Sequence, residues 1–224
     1  MYSLLKRFVD IIIALFALLL TSWLLVPCIL ILLCTGEHYI WYLQERIGFK
    51  NKTFHIIKFA TMLKDSPKLG TGSITLRNDF RVLPFGKFLR MTKINELPQI
   101  FNVFNGTMSI VGPRPQMEID FYRFPKTVQE HIYDSIPGIT GIGSVVFRDE
   151  EYYMSKPGID PIDFYTKKIA PYKGALELWY LQQKNLLTDF KIIFLTAWVI
   201  FFPKSKLPFK CFNNLPPKPE WMEE

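Results

Sequence analysis

The sequence predicts an α/β protein, mostly helical, with an N-terminal re-entrant membrane hairpin and one small cytoplasmic domain carrying interfacial amphipathic helices. Three observations predict it. Ile11 to Cys34 contains no charged residue. Between about Tyr39 and Trp179, short apolar runs alternate with Gly and Pro, the punctuation of mixed short elements. A second apolar stretch, Ile192 to Phe202, is too short to span a bilayer. The expected boundaries are 1–36 for the hairpin, 37–185 for the domain, and 186–224 for an interfacial helix and basic tail.

A chain of 224 residues can bury one good core, or one modest domain beside a membrane element. The net charge of +7 suits nucleic acid, an anionic membrane surface or phosphorylated substrates alike. The uneven placement of the apolar residues favours the membrane. The basic residues form no continuous stripe, so no nucleic-acid partner is expected. The three cysteines match neither a zinc motif nor a disulfide framework.

The N-terminal run covers roughly two dozen positions, more than the ~20 that span a bilayer as a helix. Its length argues against a cleaved signal peptide. Pro27 removes a helical hydrogen bond and predicts a bend, and Thr21 and Ser22 can satisfy freed carbonyls. Lys6 and Arg7 precede the run, while Arg46, Lys50, Lys52 and Lys58 follow it. Positive charge at both ends places both on the cytoplasmic face, which a bent, re-entrant helix allows. A straight span is the alternative. Asp10 is expected to form a local pair beside Arg7 at the interface.

Phe54 to Phe59 reads equally as strand or short helix. Ile94, Leu97, Phe101 and Phe104 recur at helical spacing, and Pro98 is tolerated only near a helix start. That places Asn95 at the N-cap and Glu96 in the first turn. Gly112-Pro113-Arg114-Pro115 and Pro137-Gly138-Ile139-Thr140-Gly141 read as rigid loops. Tyr165 to Leu187 reads as helix, with Tyr172, Leu176, Trp179 and Tyr180 on its apolar side. Ile192 to Phe202 reads as an in-plane helix, with a core helix as the alternative. Pro203 stops it, and Lys204, Lys206 and Lys210 follow.

The residue types point to phosphate chemistry. A diphosphate is met with a divalent ion and positioned cations. Mg²⁺ uses one or two carboxylates and takes its other ligands from water and phosphate oxygens. Glu96, near a helix start, is the best-placed carboxylate. Arg114, locked between two prolines, suits bidentate phosphate binding. Lys58, Arg90 and Arg148 are further phosphate-binding candidates. Arg148 opens an acidic cluster, Asp149-Glu150-Glu151, that could pair with it or supply a second metal ligand. His55 and His131 have no partners at metal or triad spacing, and no Gly-rich phosphate loop is present.

These residues together resemble the bacterial sugar transferases of the monotopic phosphoglycosyl transferase family. The resemblance starts at Lys6-Arg7-x-x-Asp10 and Gln44-x-Arg46-x-Gly48. It continues through Lys58-Phe59-x-Thr61-Met62, Asp79-x-Arg81, Gly86-x-x-x-Arg90 and Glu96-Leu97-Pro98-Gln99-x-x-Asn102-Val103. Gly106-x-Met108-Ser109-x-Val111-Gly112-Pro113-Arg114-Pro115 and Pro137-Gly138-x-Thr140-Gly141 complete it.

The resemblance implies a Mg²⁺-dependent transferase of the bacterial inner membrane, with its catalytic domain on the cytoplasmic face. Its partners would be a nucleotide-diphosphate sugar, polyprenyl phosphate and membrane lipids, and a homodimer is compatible with it. The sugar 1-phosphate moves to the lipid and nucleoside monophosphate leaves, the initiating membrane step of polysaccharide or glycoconjugate synthesis. Carried over, Glu96 matches the family's metal-holding glutamate, and Lys58, Arg90, Arg114 and Arg148 match its phosphate site.

Three departures stand out. Asn95 occupies the place of the nucleophilic aspartate, and a neutral amide cannot form an acyl phosphate. Trp23 replaces the proline after the hairpin serine, and Ser144-Val145-Val146-Phe147-Arg148 replaces Gln-Val-x-Gly-Arg. Three readings follow for Asn95. Another carboxylate attacks, either Glu96 or one of the 149–151 cluster; the lipid phosphate attacks directly while Glu96 holds the metal; or the chain is an inactive, membrane-docked binding subunit.

Overall fold

The structure, a computed structural model, describes residues 2–66, 79–154, 158–203, 205–212 and 214–222. It divides into two compact units, one of residues 11–45 and 55–105, the other of residues 1–10, 46–54 and 106–224.

Most of the first unit is organised on a long helix, α1 (Tyr2–Cys34), which runs without interruption past Pro27. Among the described residues it is the one helix long and apolar enough to cross a membrane. Thr21 Oγ1 donates to Ala17 O (2.8 Å) and Ser22 Oγ to Leu19 O (2.9 Å), back-bonds of the kind that accompany helix bending. Leu15, Phe16, Leu19 and Trp23 are exposed, while Leu25, Cys28 and Leu32 pack against Phe59, Leu89 and Ile94. An apolar helix exposing so many large side chains fits association with lipid.

Two strands, β1 (Trp41–Ile47) and β2 (Thr53–Phe59), pair in a two-stranded sheet, so the ambiguous run at 54–59 is strand. Asn102 binds the β2 backbone twice: its Oδ1 accepts from Ile57 N (2.9 Å) and its Nδ2 donates to His55 O (2.7 Å). Helix α2 (Pro84–Met91) starts on Pro84. It approaches Thr61 so closely that a Cβ on Gly86 would lie 2.1 Å from the Thr61 carbonyl oxygen.

The single helix expected from Ile94 is instead two pieces, a 3₁₀ turn (Ile94–Gln99) and α3 (Ile100–Asn105). Pro98 has no N–H to offer Ile94, so the α-helical pattern cannot begin there. The cap position falls on Lys93, in the left-handed conformation (φ 60°), so Asn95 lies inside the turn and is not the N-cap.

In the second unit, β3 (Ser109–Val111) and β4 (Gly138–Thr140) pair in parallel, Ser109 opposite Gly138 and Val111 opposite Thr140. Asp10, expected at the interface, is buried: it accepts from Ser109 Oγ (2.8 Å) and Ile110 N (3.1 Å). The expected local pair is present, with Lys6 rather than Arg7 (Lys6 Nζ 4.0 Å from Asp10 Oδ1), but it is buried, and β3 adds two donors to it. Tyr2 Oη, Lys6 Nζ and Tyr180 Oη converge on buried Asp189 at 2.7–2.9 Å.

Short helices α4 (Glu118–Phe121), α5 (Lys126–His131), α6 (Ile142–Val146), α7 (Glu150–Met154) and α8 (Pro161–Phe164) surround the core. The expected helix 165–187 is divided as well: a π turn (Tyr165–Ile169), α9 (Ala170–Gln183), then a break where Asn185 caps α10 (Leu186–Phe201) by accepting from Thr188 N (3.0 Å). Helix α10 has a core side, as the core-helix alternative expected, and an exposed apolar side. Ile192, Leu195 and Val199 are in the core, while Leu187, Phe190, Phe194 and Phe201 are exposed. Lys204 lies outside the described residues, as does the Glu151 side chain. A final short helix, α11 (Leu207–Cys211), precedes a tail whose Trp221 stacks on Phe147.

Candidate active site

In the first unit the 3₁₀ turn presents Asn95 and Glu96 in opposite ways. Ile94 is drawn into the core, which buries the adjacent Asn95 amide. Its Oδ1 has no hydrogen-bond partner among the described residues. Glu96 keeps 29% of its side chain exposed, and Lys58 Nζ on β2 lies 3.6 Å from its Oε1. Arg90, on the last turn of α2, is half-buried with Nη1 3.5 Å from Thr61 Oγ1. Burial lowers its guanidinium pKa, and the charges of Asp79 and Glu96 oppose that shift. The structure therefore brings Lys58, Arg90, Asn95 and Glu96 together. Asp79 is committed to Arg81, whose Nε donates to its Oδ1 at 2.9 Å.

Arg114 and Arg148 belong to the second unit. The backbone around Arg114 is fixed from several directions. Gly112 N donates to Thr140 O and Gly138 N to Pro113 O, both at 2.9 Å. Tyr133 Oη donates to Arg114 O (3.0 Å) and accepts from Gln116 N (2.8 Å). Cβ atoms on Gly112 or Gly138 would lie within 2.4 Å of facing backbone, so the two Gly-Pro stretches interlock. The second is strand β4 where a loop was expected, because parallel pairing with β3 straightens it. Arg148 is exposed, following the buried Phe147. Within the acidic cluster, Glu150 Oε2 takes Lys173 Nζ at 2.7 Å.

One residue the sequence reading passed over is Glu177 on α9. It is 1% exposed, and burial pushes its carboxyl up to about 7 against the pull of Lys173 and Arg114. Its place on the buried side of α9, with Lys173 and Tyr180, was the available signal.

Among the described residues, no three His, Cys, Asp or Glu side chains form a full ligand set. A Mg²⁺ ion that draws ligands from phosphate and water needs no such set. A partly exposed Glu96 carboxylate and an orphaned Asn95 amide oxygen are oxygen donors of the type it accepts.

The family model described as bacterial sugar transferase matches residues 1–203. The UDP-N-acetylgalactosamine-undecaprenyl-phosphate N-acetylgalactosaminephosphotransferase of Aeromonas hydrophila is 35% identical over 65% of this chain and 34% of its own length. The UDP-glucose:undecaprenyl-phosphate glucose-1-phosphate transferase of Klebsiella pneumoniae is 32% identical over 89% of this chain and 41% of its own. The exopolysaccharide production protein ExoY of Sinorhizobium fredii is 28% identical over 85% of this chain and 83% of its own. Against the first two, the chain spans between a third and about two fifths of the relative's length.

Proposed function

The chain belongs to the bacterial sugar transferase family, and we propose that it transfers a sugar 1-phosphate from a UDP-sugar to undecaprenyl phosphate, releasing UMP. The observation that carries this reading is the partly exposed Glu96 held beside Lys58, with Arg90 close enough to feel its charge. Such an acid–cation group serves a diphosphate, whose transition state needs charge stabilisation more than covalent machinery.

The reaction we favour is direct. An oxygen of the lipid phosphate attacks the β-phosphorus of the UDP-sugar. A new P–O bond forms, the bond from that phosphorus to the bridging oxygen breaks, and UMP leaves with the bonding pair. Asn95 has no carboxylate to offer, and Glu150 is engaged with Lys173. Lys58 and Arg90 hold non-bridging phosphate oxygens. Glu96, with the Asn95 amide oxygen, would hold Mg²⁺, which neutralises phosphate charge when bound.

The protein acts at the cytoplasmic face of the bacterial inner membrane. Cationic residues at both ends of α1 favour a re-entrant path, and the exposed Phe190, Phe194 and Phe201 suit an in-plane α10. Cysteines introduced at Ser3 and Lys52 then label from the same face in vesicles. Labelling from opposite faces contradicts re-entry.

The reaction is tested by UMP release from purified protein in detergent with Mg²⁺, undecaprenyl phosphate and a panel of UDP-sugars. Release that needs lipid and is lost in Glu96→Gln supports the transferase. Folded protein that binds a UDP-sugar but never turns over is the inactive binding subunit instead.

A further inference from the structure

Glu177 is a buried acid that no step above uses. Neither of its oxygens makes a well-formed hydrogen bond among the described residues. A Cβ on Gly143 would come within 2.4 Å of Glu177 Oε1, and one on Gly141 within 3.6 Å of Oε2. The carboxylate therefore lies directly against the Gly141–Gly143 turn, where only glycine leaves it room. The surrounding backbone and the Lys173 and Arg114 charges favour the ionised form, but burial outweighs them.

The groups around it are few. Lys173, one helical turn earlier on α9, is held by Glu150 at 2.7 Å and does not neutralise Glu177 fully. Arg114 supplies positive charge from its loop, and Tyr133, whose hydroxyl holds Arg114 O and Gln116 N, feels the Glu177 charge. Along the Arg114 loop, Gly112 N, Pro113 O, Arg114 O and Gln116 N have partners in β4, Gly138 and Tyr133. The Gly141 turn packs on the start of that loop, where a Cβ on Gly141 would lie 2.3 Å from Gly112 O. A buried carboxylate costs stability where glutamine, of the same shape, would not, so its charge must serve something other than packing.

We infer that Glu177 is a positioning residue: its carboxylate braces the Gly141–Gly143 turn, which packs on Gly112 at the head of the Arg114 loop, so that the Arg114 guanidinium is held ready for a substrate phosphate. This rests on the reading of Arg114 as a phosphate-binding residue.

The test compares wild type, Glu177→Gln, Lys173→Met and Arg114→Lys as full-length protein in detergent, with KM and kcat for the best UDP-sugar measured across neutral pH. UDP-sugar binding and thermal melts are run alongside. Glu177→Gln is expected to melt no lower than wild type at alkaline pH, yet to raise KM about tenfold, the effect of one lost positioning contact. The wild-type kcat/KM profile carries an acid limb near neutrality that is absent in Glu177→Gln. In Lys173→Met, without the nearby cation, that limb moves to higher pH.

A folded Glu177→Gln with wild-type KM and an intact limb overturns the inference and leaves the transferase reading standing. If Glu177→Gln does not fold, an unmoved limb in Lys173→Met overturns it equally. Wild-type protein that neither turns over nor binds any UDP-sugar sinks the reading of Arg114, and the positioning role with it.

Discussion

Asn95 and Glu177 each bury side-chain oxygens without a hydrogen-bond partner among the described residues, one in each unit. Asn95 is neutral and lies beside a partly exposed acid, Glu96, that faces Lys58. Glu177 is ionisable, has no water access and lies behind an arginine loop. The difference separates two uses of a carboxylate. An exposed acid meets substrate or metal, and its neutral neighbour limits it to electrostatic work. A buried acid acts through the backbone it supports, at a cost in stability that depends on pH.

The largest expected effect is at the exposed acid. Glu96→Gln should lower kcat for UMP release by about 100-fold or more, the usual scale for losing a group that stabilises transition-state charge. Glu177→Gln should change mainly KM. If the two variants exchange these signatures, the comparison is broken.

Next is the dependence of stability on pH. The Glu177 pKa is raised from 4.5 to about 7 in the folded protein, so the native state binds the extra proton between those values. The stability this gives is fully present below the lower value and is lost as pH rises through about 7. The loss amounts to roughly 3 kcal/mol. Denaturant melts in detergent across that range should show the decline in wild type and a flatter curve in Glu177→Gln.

The smallest effect is at Asn95. Its oxygen gives up no hydrogen bond on truncation, so Asn95→Ala should cost under about 1 kcal/mol in the same melts. It should leave the pH slope unchanged. A larger cost would mean that the amide is held by contacts the comparison has missed.

Features set by local pattern were legible in the sequence. The long apolar α1 and the apolar run of α10 follow from residues close together in the chain, whereas the helix start placed at Asn95 fell instead on a 3₁₀ turn capped at Lys93. Glu96 and Lys58 were singled out by residue type and resemblance, but their 3.6 Å approach depends on β2 pairing as a strand. Periodicity could not choose that pairing. The local pairing of Asp10 was legible, although its partner is Lys6; its burial was not, because Ser109 and Ile110 lie about a hundred residues away. Glu177 was passed over for the same reason. An acid on a helix reads as solvated until the fold places glycine and Arg114 against it.

The central claim is that transfer runs directly from UDP-sugar to lipid, because Asn95 cannot carry the phosphosugar. The most direct measurement is exchange of labelled UMP into UDP-sugar by the purified protein with Mg²⁺ and without polyprenyl phosphate. The account predicts no exchange in the natural chain, while lipid-dependent UMP release proceeds. Lipid-independent exchange by the natural chain would reveal a covalent phosphosugar intermediate on another residue and contradict the claim.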